Sequence, residues 1–231
     1  MNFNLGTLFL VSTPIGNLGD ITYRAISTLK NVNLVAVEDT RHSKKLFKKY
    51  NIATKMVSYF EQNRFYRIPF LIRHLLRGKD LALISDAGTP GISDPGYRLI
   101  REAILNSINI EVIPGASALL AGLALSGLPT DRFIFEGFLP LKKGRMKRIN
   151  GIKGETATII YYESPNRLIK TLCQLFEILG ERPCVVAREI TKLHEDVHRG
   201  TLSSVITFYQ KKKPKGECVI LIGKDNKNVF F

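Results

Sequence analysis

Residues 85–96 combine turns and carboxylates that suit the binding of a small ligand. The segment holds three glycines, two prolines and the acids Asp86 and Asp94. It follows an apolar run at 81–84, which predicts a buried strand, and it precedes a helix predicted over 97–105. Asp94 is the predicted N-cap of that helix and Pro95 its first residue. A plain connection in an α/β unit needs only about 2–6 residues, so this segment is either a rigid turn or, as we favour, a ligand-binding loop.

A second group of reactive side chains follows the strand predicted over 34–37. Glu38, Asp39 and Arg41 stand within four residues of one another. A carboxylate can accept the proton of a substrate hydroxyl, and a guanidinium can bind a phosphate. The alternative is that Asp39 or Thr40 only caps the lysine-rich helix predicted over 41–50, because acids are favoured at helix amino ends. The residues alone leave both interpretations open.

Two further turns, at 14–19 and 114–117, also follow predicted strands. Strands alternate with helices through this half, which predicts a mainly parallel sheet covered on both faces. The turns therefore gather at the carboxyl edge of the sheet, where open α/β sheets bind ligands. None carries the G-x-G-x-x-G or G-K-[ST] pattern, which argues against a dinucleotide or nucleoside triphosphate enzyme.

The second half of the chain reads as mixed α/β with antiparallel pairing. Residues 127–130 are typical of a boundary. We predict two α/β domains, 1–117 and 118–231, with a ligand cleft between them. The predicted strands cover 132–138, 156–162, 184–188 and 218–222, and the helices 141–149, 166–179 and 201–210.

The strong positive charge favours a polyanionic partner. Lysine and arginine total 34 against 20 acids, a formal net charge of +14. Phosphate contacts by such residues supply most non-specific affinity for nucleic acid. Five cations fall within seven residues; they are Lys142, Lys143, Arg145, Lys147 and Arg148. The alternatives are a solvated basic face or a general lysine bias of the genome.

Cysteine and histidine give no pattern of a disulfide framework or a metal site. The three cysteines are scattered, and His194 and His198 have no cysteine or H-E-x-x-H partner. No apolar run approaches the roughly 18–20 residues that cross a bilayer. We therefore expect a cytoplasmic protein without a membrane span and without a metal.

Short segments along nearly the whole chain resemble one family, the ribosomal RNA small subunit methyltransferase I family of the tetrapyrrole-methylase superfamily. The segments are 13–18 (TPIGNL), 36–41 (AVEDTR), 85–90 (SDAGTP), 93–96 (SDPG), 114–115 (PG), 136–140 (EGFLP), 162–165 (YESP) with Arg167, 187–189 (ARE) with Thr191 and Lys192, and 216–217 (GE).

The resemblance implies two α/β domains with the cofactor cleft between them, a homodimer, and S-adenosylmethionine as methyl donor. The implied reaction is 2′-O-methylation of a cytidine in the decoding region of 16S rRNA, in the small ribosomal subunit. Glu38, Asp39 and Arg41 become the catalytic candidates, with Asp39 accepting or orienting the hydroxyl proton. The implied donor-binding residues are Pro14, Gly16, Asp86, Ala87, Gly88, Thr89, Ser117, Ala118, Tyr162 and Ala187.

Arg167 and Arg188 stand beside the proposed cleft and join the basic run as the expected specific RNA contacts. Two positions depart from the family pattern. Relatives often carry His-Asn-Glu where this chain has 62–64 (QNR), which puts a general base there in doubt, and proline where it has Ala116. Two other functions compete with this one. One is a superfamily methyltransferase acting on a tetrapyrrole or a protein side chain, and the other is a non-catalytic RNA-binding assembly factor.

Overall fold

The computed structural model describes residues 5–224. The chain forms two compact units that divide between Ser117 and Ala118. Each unit contains one five-stranded sheet among the described residues. Within residues 5–224, every helix is too short or too polar to span a bilayer.

The first unit alternates strands and helices. Its elements are β1 (Leu8–Val11), α1 (Tyr23–Asn31), β2 (Leu34–Val37), α2 (Thr40–Lys49), β3 (Met56–Ser58), α3 (Arg64–Leu76), β4 (Leu81–Ile84), α4 (Gly96–Leu105) and β5 (Ile110–Ile113). The strand order is β3-β2-β4-β1-β5, and every pair is parallel. The predicted parallel sheet is confirmed.

Both faces of this sheet are covered by helices. In β2, Leu34 and Ala36 belong to one buried cluster, which α3 and α4 complete. Val35 and Val37 belong to the other cluster, which α1 and α2 complete. Successive side chains of a strand point to opposite faces, so an unbroken apolar run is what a sheet buried on both sides requires. This packing fixes the carboxyl edge from which the loops emerge.

The second unit is mixed α/β, as predicted. Its elements are α5 (Ala118–Ser126), β6 (Phe133–Phe138), α6 (Arg145–Gly151), β7 (Thr158–Glu163), α7 (Leu168–Leu179), β8 (Pro183–Arg188), β9 (Asp196–Thr201), α8 (Leu202–Lys211) and β10 (Cys218–Ile222). The order is β6-β7-β10-β8-β9; β6 and β7 are parallel and the other pairs antiparallel. Helices α6, α7 and α8 pack on one core.

Several helix starts differ from the prediction. Helix α1 begins at Tyr23 and is capped by Thr22, whose Oγ1 accepts from the Ala25 N–H at 3.0 Å. Helix α6 begins at Arg145 and not at 141, because Gly144 has a left-handed φ of 81°. The short strands β3 and β9 were not predicted, since neither carries an unbroken apolar run.

Candidate functional site

The loops after β1 and β4 join at the carboxyl edge of the first unit's sheet. Thr13 and Gly88 exchange two backbone hydrogen bonds, of 2.9 and 3.1 Å. The Thr13 hydroxyl donates to the Ser85 carbonyl at 3.1 Å, and Ser12 Oγ lies 3.0 Å from Thr89 Oγ1. Two loops more than 70 residues apart in sequence therefore form one continuous rim.

The loop after β5 reaches the same rim. A Cβ added to Gly88 would lie 3.5 Å from Ile15 Cγ2 and 3.7 Å from the Ala116 carbonyl oxygen. A Cβ added to Gly115 would lie only 3.0 Å from Ser12 Cβ. Gly88 also has a φ of +82°, a conformation that residues with a Cβ rarely adopt. The three turns thus converge as the sequence predicted, and glycine permits the close approach of their backbones.

Asp86 links this rim to the loop after β2. Its Oδ1 accepts a hydrogen bond from the Asp39 backbone N–H at 3.1 Å. Asp86 is half-buried, whereas the neighbouring Ala87 is exposed. The carboxylate is consequently fixed in position and still reachable by a ligand.

Asp94 does not cap α4 in the predicted way. The helix begins at Gly96, and Pro95 is its capping residue. Asp94 Oδ1 accepts from the N–H groups of Gly91 and Gly96, at 2.5 and 3.1 Å. The carboxylate thereby ties the middle of the loop to the helix start, and burial raises its pKa.

Glu38 is the half-buried acid of the β2 loop. Burial raises its pKa, and so does the negative charge of Asp86. Asp94 and Asp39 add smaller effects in the same direction, while a hydrogen bond from the Asp86 backbone opposes them. A carboxylate with a raised pKa is a better proton acceptor than an ordinary one.

Asp39 is engaged by its own helix. It is the N-cap of α2, and its Oδ1 accepts from the Arg41 N–H at 2.7 Å. Its Oδ2 forms an ion pair with Arg41 Nη2 at 2.8 Å. These hydrogen bonds lower the pKa of Asp39 to about 2. The capping interpretation of Asp39 therefore describes the structure.

The other predicted donor-binding residues fall into two groups. In the first unit, Pro14 is buried and Gly16 exposed after the end of β1, and Ser117 is the last residue of that unit. In the second unit, Ala118 begins α5. The Tyr162 hydroxyl there accepts from the Leu119 N–H at 2.9 Å, and the Ala187 side chain is fully buried in β8.

The basic run at 142–148 separates into exposed lysines and engaged arginines. Lys142, Lys143 and Lys147 are exposed. Arg145 is only 4% exposed, and its guanidinium donates to Thr171 Oγ1 at 2.6 Å and to Gln174 Oε1 at 2.8 Å. The expected RNA contact by Arg145 is corrected, because its side chain is enclosed by protein.

The remaining predicted RNA-binding arginines also have protein partners. Arg148 pairs with Glu136 at 2.6 Å, and Arg167 Nε with Glu163 Oε1 at 2.6 Å. Arg188 pairs with Asp196 at 3.1 Å and donates to the Lys215 carbonyl. Part of each guanidinium is therefore already hydrogen-bonded to protein groups. The contribution of these arginines to RNA binding stays a prediction.

Histidines and cysteines do not assemble into a metal centre in the part of the chain that the structure describes. No group of three potential ligands occurs there. Cys173, Cys184 and Cys218 are free thiols. His198 stacks on Phe208 with ring centroids 3.8 Å apart.

Tyr59 is a residue of the site that the sequence analysis missed. It follows β3, is 1% exposed, and donates its hydroxyl proton to the Pro95 carbonyl at 2.9 Å. It therefore holds the loop that leads to α4. The adjacent aromatic residues Tyr59 and Phe60, after a short apolar segment, were the available signal, which became meaningful only once β3 was placed.

A family model described as Tetrapyrrole (Corrin/Porphyrin) Methylases matches residues 7–206 of this chain. The match extends from the start of β1 into α8, so it includes all four loops described above.

Two curated relatives carry the same name. Ribosomal RNA small subunit methyltransferase I of Thermotoga maritima is 46% identical over 222 residues, which cover 96% of this chain and 100% of the relative. The protein of that name from a Synechocystis species is 51% identical over 224 residues, covering 95% of this chain and 80% of the relative.

The fold also matches a solved structure. Uroporphyrin-III C-methyl transferase from Thermus thermophilus, complexed with S-adenyl homocysteine, aligns with a TM-score of 0.66 at 19% identity. The alignment covers 94% of this chain and 97% of that one. The predicted α/β fold of the tetrapyrrole-methylase type is confirmed.

Proposed function

We infer that this chain, which belongs to the ribosomal RNA small subunit methyltransferase I family of the tetrapyrrole methylases, methylates a cytidine 2′-hydroxyl in the decoding region of 16S rRNA with S-adenosylmethionine. One observation carries the inference beyond the family match. Three glycine and proline turns meet at the carboxyl edge of a parallel sheet, beside a group of carboxylates.

The rim fits a cationic nucleoside. S-adenosylmethionine brings a sulfonium whose methyl group is already activated for transfer, together with an ammonium group. The carboxylates of Asp86 and Glu38 give the rim negative charge, and the turn at Gly88 lets backbone groups approach a flat ring closely. The residues proposed to hold the donor are Pro14, Gly16, Asp86, Ala87, Gly88, Thr89, Ser117 and Ala118, with Tyr162 and Ala187 of the second unit.

The chain's own chemical task is to orient the ribose and to accept its proton. Positioning supplies most of the rate when the electrophile is already activated. A 2′-hydroxyl is a poor nucleophile, so a nearby base assists. We assign that role to Glu38 and not to Asp39, because both oxygens of Asp39 are engaged by Arg41. Arg41 is exposed next to Asp39, and we propose that it binds a phosphate of the substrate.

The partners follow from the substrate. We propose that the enzyme acts on 16S rRNA in the cytoplasm, within an assembled small-subunit particle, and that it works as a homodimer. Exposed lysines in each of the two units supply the electrostatic attraction. They lie on α2 (Lys44, Lys45, Lys48 and Lys49) and around the start of α6 (Lys142, Lys143 and Lys147).

Mapping of the modified nucleotide tests the inference directly. Small-subunit particles from cells lacking the protein are incubated with the purified chain and donor, and primer extension is run at low deoxynucleotide concentration. A single donor-dependent stop at a decoding-region cytidine is expected. Calorimetric titration with the donor runs in parallel, so that donor binding without any stop would point to another acceptor.

Replacing Gly88 with alanine is expected to weaken donor binding about tenfold. The left-handed φ of +82° costs a residue with a Cβ about 1–2 kcal/mol, so we expect the loop of the free variant to relax to another conformation. Donor binding must then restore the strained conformation, and about 1.4 kcal/mol corresponds to a tenfold change in affinity. Gly144→Ala is the matched control, because its φ is +81° and nothing lies within 4 Å of the added Cβ. Both variants meet the same backbone strain, but only in Gly88→Ala does it affect the rim, so only that variant should lose donor affinity by calorimetry.

Reversing the charge of Lys143 and Lys147 together is expected to weaken RNA binding and flatten its salt dependence. Both side chains are exposed, and removing one lysine–phosphate interaction reduces the slope of log affinity against log salt by about one. Lys30→Glu with Lys211→Glu makes the same charge change at two other exposed positions. If that control pair weakens binding equally, general charge rather than this segment attracts the RNA.

A further inference from the structure

The first two turns of α3 and α4 carry an exposed group of aromatic rings and arginines outside the candidate site. Phe65, Tyr66 and Tyr97 are 66%, 88% and 60% exposed. Large apolar or aromatic side chains grouped on a surface mark interaction sites. We call this group the arginine–aromatic surface; its members are Phe65, Tyr66, Arg67, Phe70, Tyr97, Arg98 and Arg101.

The arginines of this surface contact rings and not carboxylates. Arg98 lies over the Phe65 ring at 5.6 Å, and Arg67 lies over the Phe70 ring at 5.9 Å. Arg101 donates to the Tyr97 hydroxyl at 3.4 Å. Within residues 5–224, none of these three guanidinium groups forms an ion pair with an acid. Their charge is therefore available to an anionic partner.

The arginine–aromatic surface lies at the carboxyl edge of the first unit's sheet, the same edge as the rim formed by the loops after β1 and β4. Helix α3 follows the carboxyl end of β3, and α4 follows the long loop after β4. Parallel strands place both helix starts at one edge of the sheet. The two helices pack against each other, and the Tyr59 hydroxyl bonds to the Pro95 carbonyl just before α4. The arginine–aromatic surface is consequently a neighbour of the carboxylates assigned to the reaction.

We propose that the arginine–aromatic surface binds unstacked bases of the rRNA that flank the methylated nucleotide. Single-stranded RNA is recognised by stacking on aromatic rings and guanidinium planes, while the same cations neutralise its phosphates. The 2′-hydroxyl must be presented at the rim, so neighbouring nucleotides have to pass over the adjacent helix starts. The proposal rests on the proposed function and adds to it the place where the substrate is held.

Charge favours RNA over a second copy of the chain as the occupant. A two-fold interface places the same patch on both partners. The three arginines without an acidic partner in residues 5–224 would then face the three of the other copy, and like charges brought together oppose association. A polyanion meets no such repulsion. A homodimer formed through another surface is compatible with the proposal.

Substitutions that separate stacking from apolar contact test the proposal. Tyr66→Leu and Tyr97→Leu keep apolar area but remove the aromatic face, whereas Tyr66→Phe and Tyr97→Phe keep the face. Each leucine variant should lose at least about fivefold in affinity for a decoding-region 16S rRNA fragment, and each phenylalanine variant should bind nearly as tightly as the parent chain. Tyr23→Leu is the control, since Tyr23 is 94% exposed on α1, which packs on the opposite sheet face.

Fluorescence gives a direct readout of stacking. The chain contains no tryptophan, so Tyr66→Trp introduces one fluorophore into the proposed surface and Tyr23→Trp one outside it. Titration with the RNA fragment should quench the first and leave the second unchanged. Absence of quenching at Tyr66→Trp, in a variant that binds RNA normally, would overturn the proposal.

The remaining arms distinguish this proposal from the proposed function. Donor affinity by calorimetry should be the same in the parent and the leucine variants. If the parent chain methylates the particle but the leucine variants bind RNA as it does, only the surface proposal fails. If light scattering shows that the leucine variants become monomers with unchanged RNA affinity, the occupant is a second copy and the proposal is wrong. If the parent methylates nothing, the proposed function fails independently.

Discussion

Replacing Glu38 with glutamine is expected to lower kcat for rRNA methylation by about 10²–10⁴-fold, the usual contribution of a positioned base. Glutamine keeps the shape of the side chain and removes its ability to accept the ribose proton. Donor affinity should change little by comparison. Single-turnover transfer of a radiolabelled methyl group, with calorimetry of the donor on the same preparation, measures both quantities.

Asp39→Asn is the matched control for this prediction. Asparagine caps helices as well as aspartate does, so α2 should keep its start while the second carboxylate of the segment is lost. We expect kcat to stay within a few-fold of the parent value. A larger loss in Asp39→Asn than in Glu38→Gln would return the role of base to Asp39.

The pH dependence of kcat/KM separates the same two acids. Burial, together with the charge of Asp86, raises the pKa of Glu38 above its ordinary value of 4.5. Protonated Glu38 accepts nothing, so kcat/KM, which reports the free enzyme, should fall as the pH is lowered through a value above 4.5. The Arg41 hydrogen bonds hold the pKa of Asp39 to about 2. If Asp39 were the base, the rate would therefore not fall at the pH where Glu38 becomes protonated. The acid limb should disappear in Glu38→Gln and remain in Asp39→Asn.

The sequence predicted the first unit well because a strand that is buried on both faces of a sheet is an unbroken run of apolar residues. Strands β2 and β4 are four-residue apolar runs, and their bounds match the structure. The turns after them could be placed at one edge from the parallel pairing alone. Strand β3, with three residues and no fully buried side chain, carried too little pattern to be found.

Roles that depend on side-chain direction could not be predicted from residue type. Glu38 and Asp39 are adjacent acids, yet one is half-buried beside Asp86 and the other is engaged by Arg41. Only the path of the backbone as it leaves β2 decides between them. Composition and spacing therefore located the group of acids but could not decide which of them to propose as the proton acceptor.

The basic run at 142–148 misled in a way that helical spacing could have corrected. Arg145 stands four residues before Ile149, and both side chains are buried. Residues four apart lie on one face of a helix, so Arg145 shares the apolar face of α6 with Ile149. Counting cations without asking which face each occupies assigned it to the RNA.

Replacing Glu163 with alanine is expected to destabilise the second unit by about 3–5 kcal/mol, the effect of removing one partner of a buried ion pair. Glu163 is 2% exposed and accepts from Arg167 Nε and from Thr171 Oγ1, each at 2.6 Å. Arg145 Nη2 lies 3.8 Å from its Oε2. Without the carboxylate, the buried guanidinium of Arg145 and the partly buried one of Arg167 are left with no compensating charge. Urea unfolding followed by circular dichroism measures the loss.

Glu177→Ala is the control, because this exposed acid lies on α7 and forms no ion pair among residues 5–224. Its effect should stay within about 0.5 kcal/mol. A loss below about 1 kcal/mol in Glu163→Ala would contradict the buried network as a source of stability.

The same network decides how variants of Arg145 should be interpreted. Arg145→Lys keeps the positive charge but cannot donate at once to Thr171, Gln174 and the Pro140 carbonyl, as arginine does. We expect a lower melting temperature and, at a temperature where the variant is fully folded, RNA affinity and salt slope equal to those of the parent. A solvent-facing phosphate contact would show the opposite result for stability, since replacing an exposed arginine with lysine leaves the melting temperature unchanged. Weak RNA binding by an unfolding-prone Arg145 variant would therefore be a consequence of lost structure, and we propose that the exposed lysines beside it supply the electrostatic attraction.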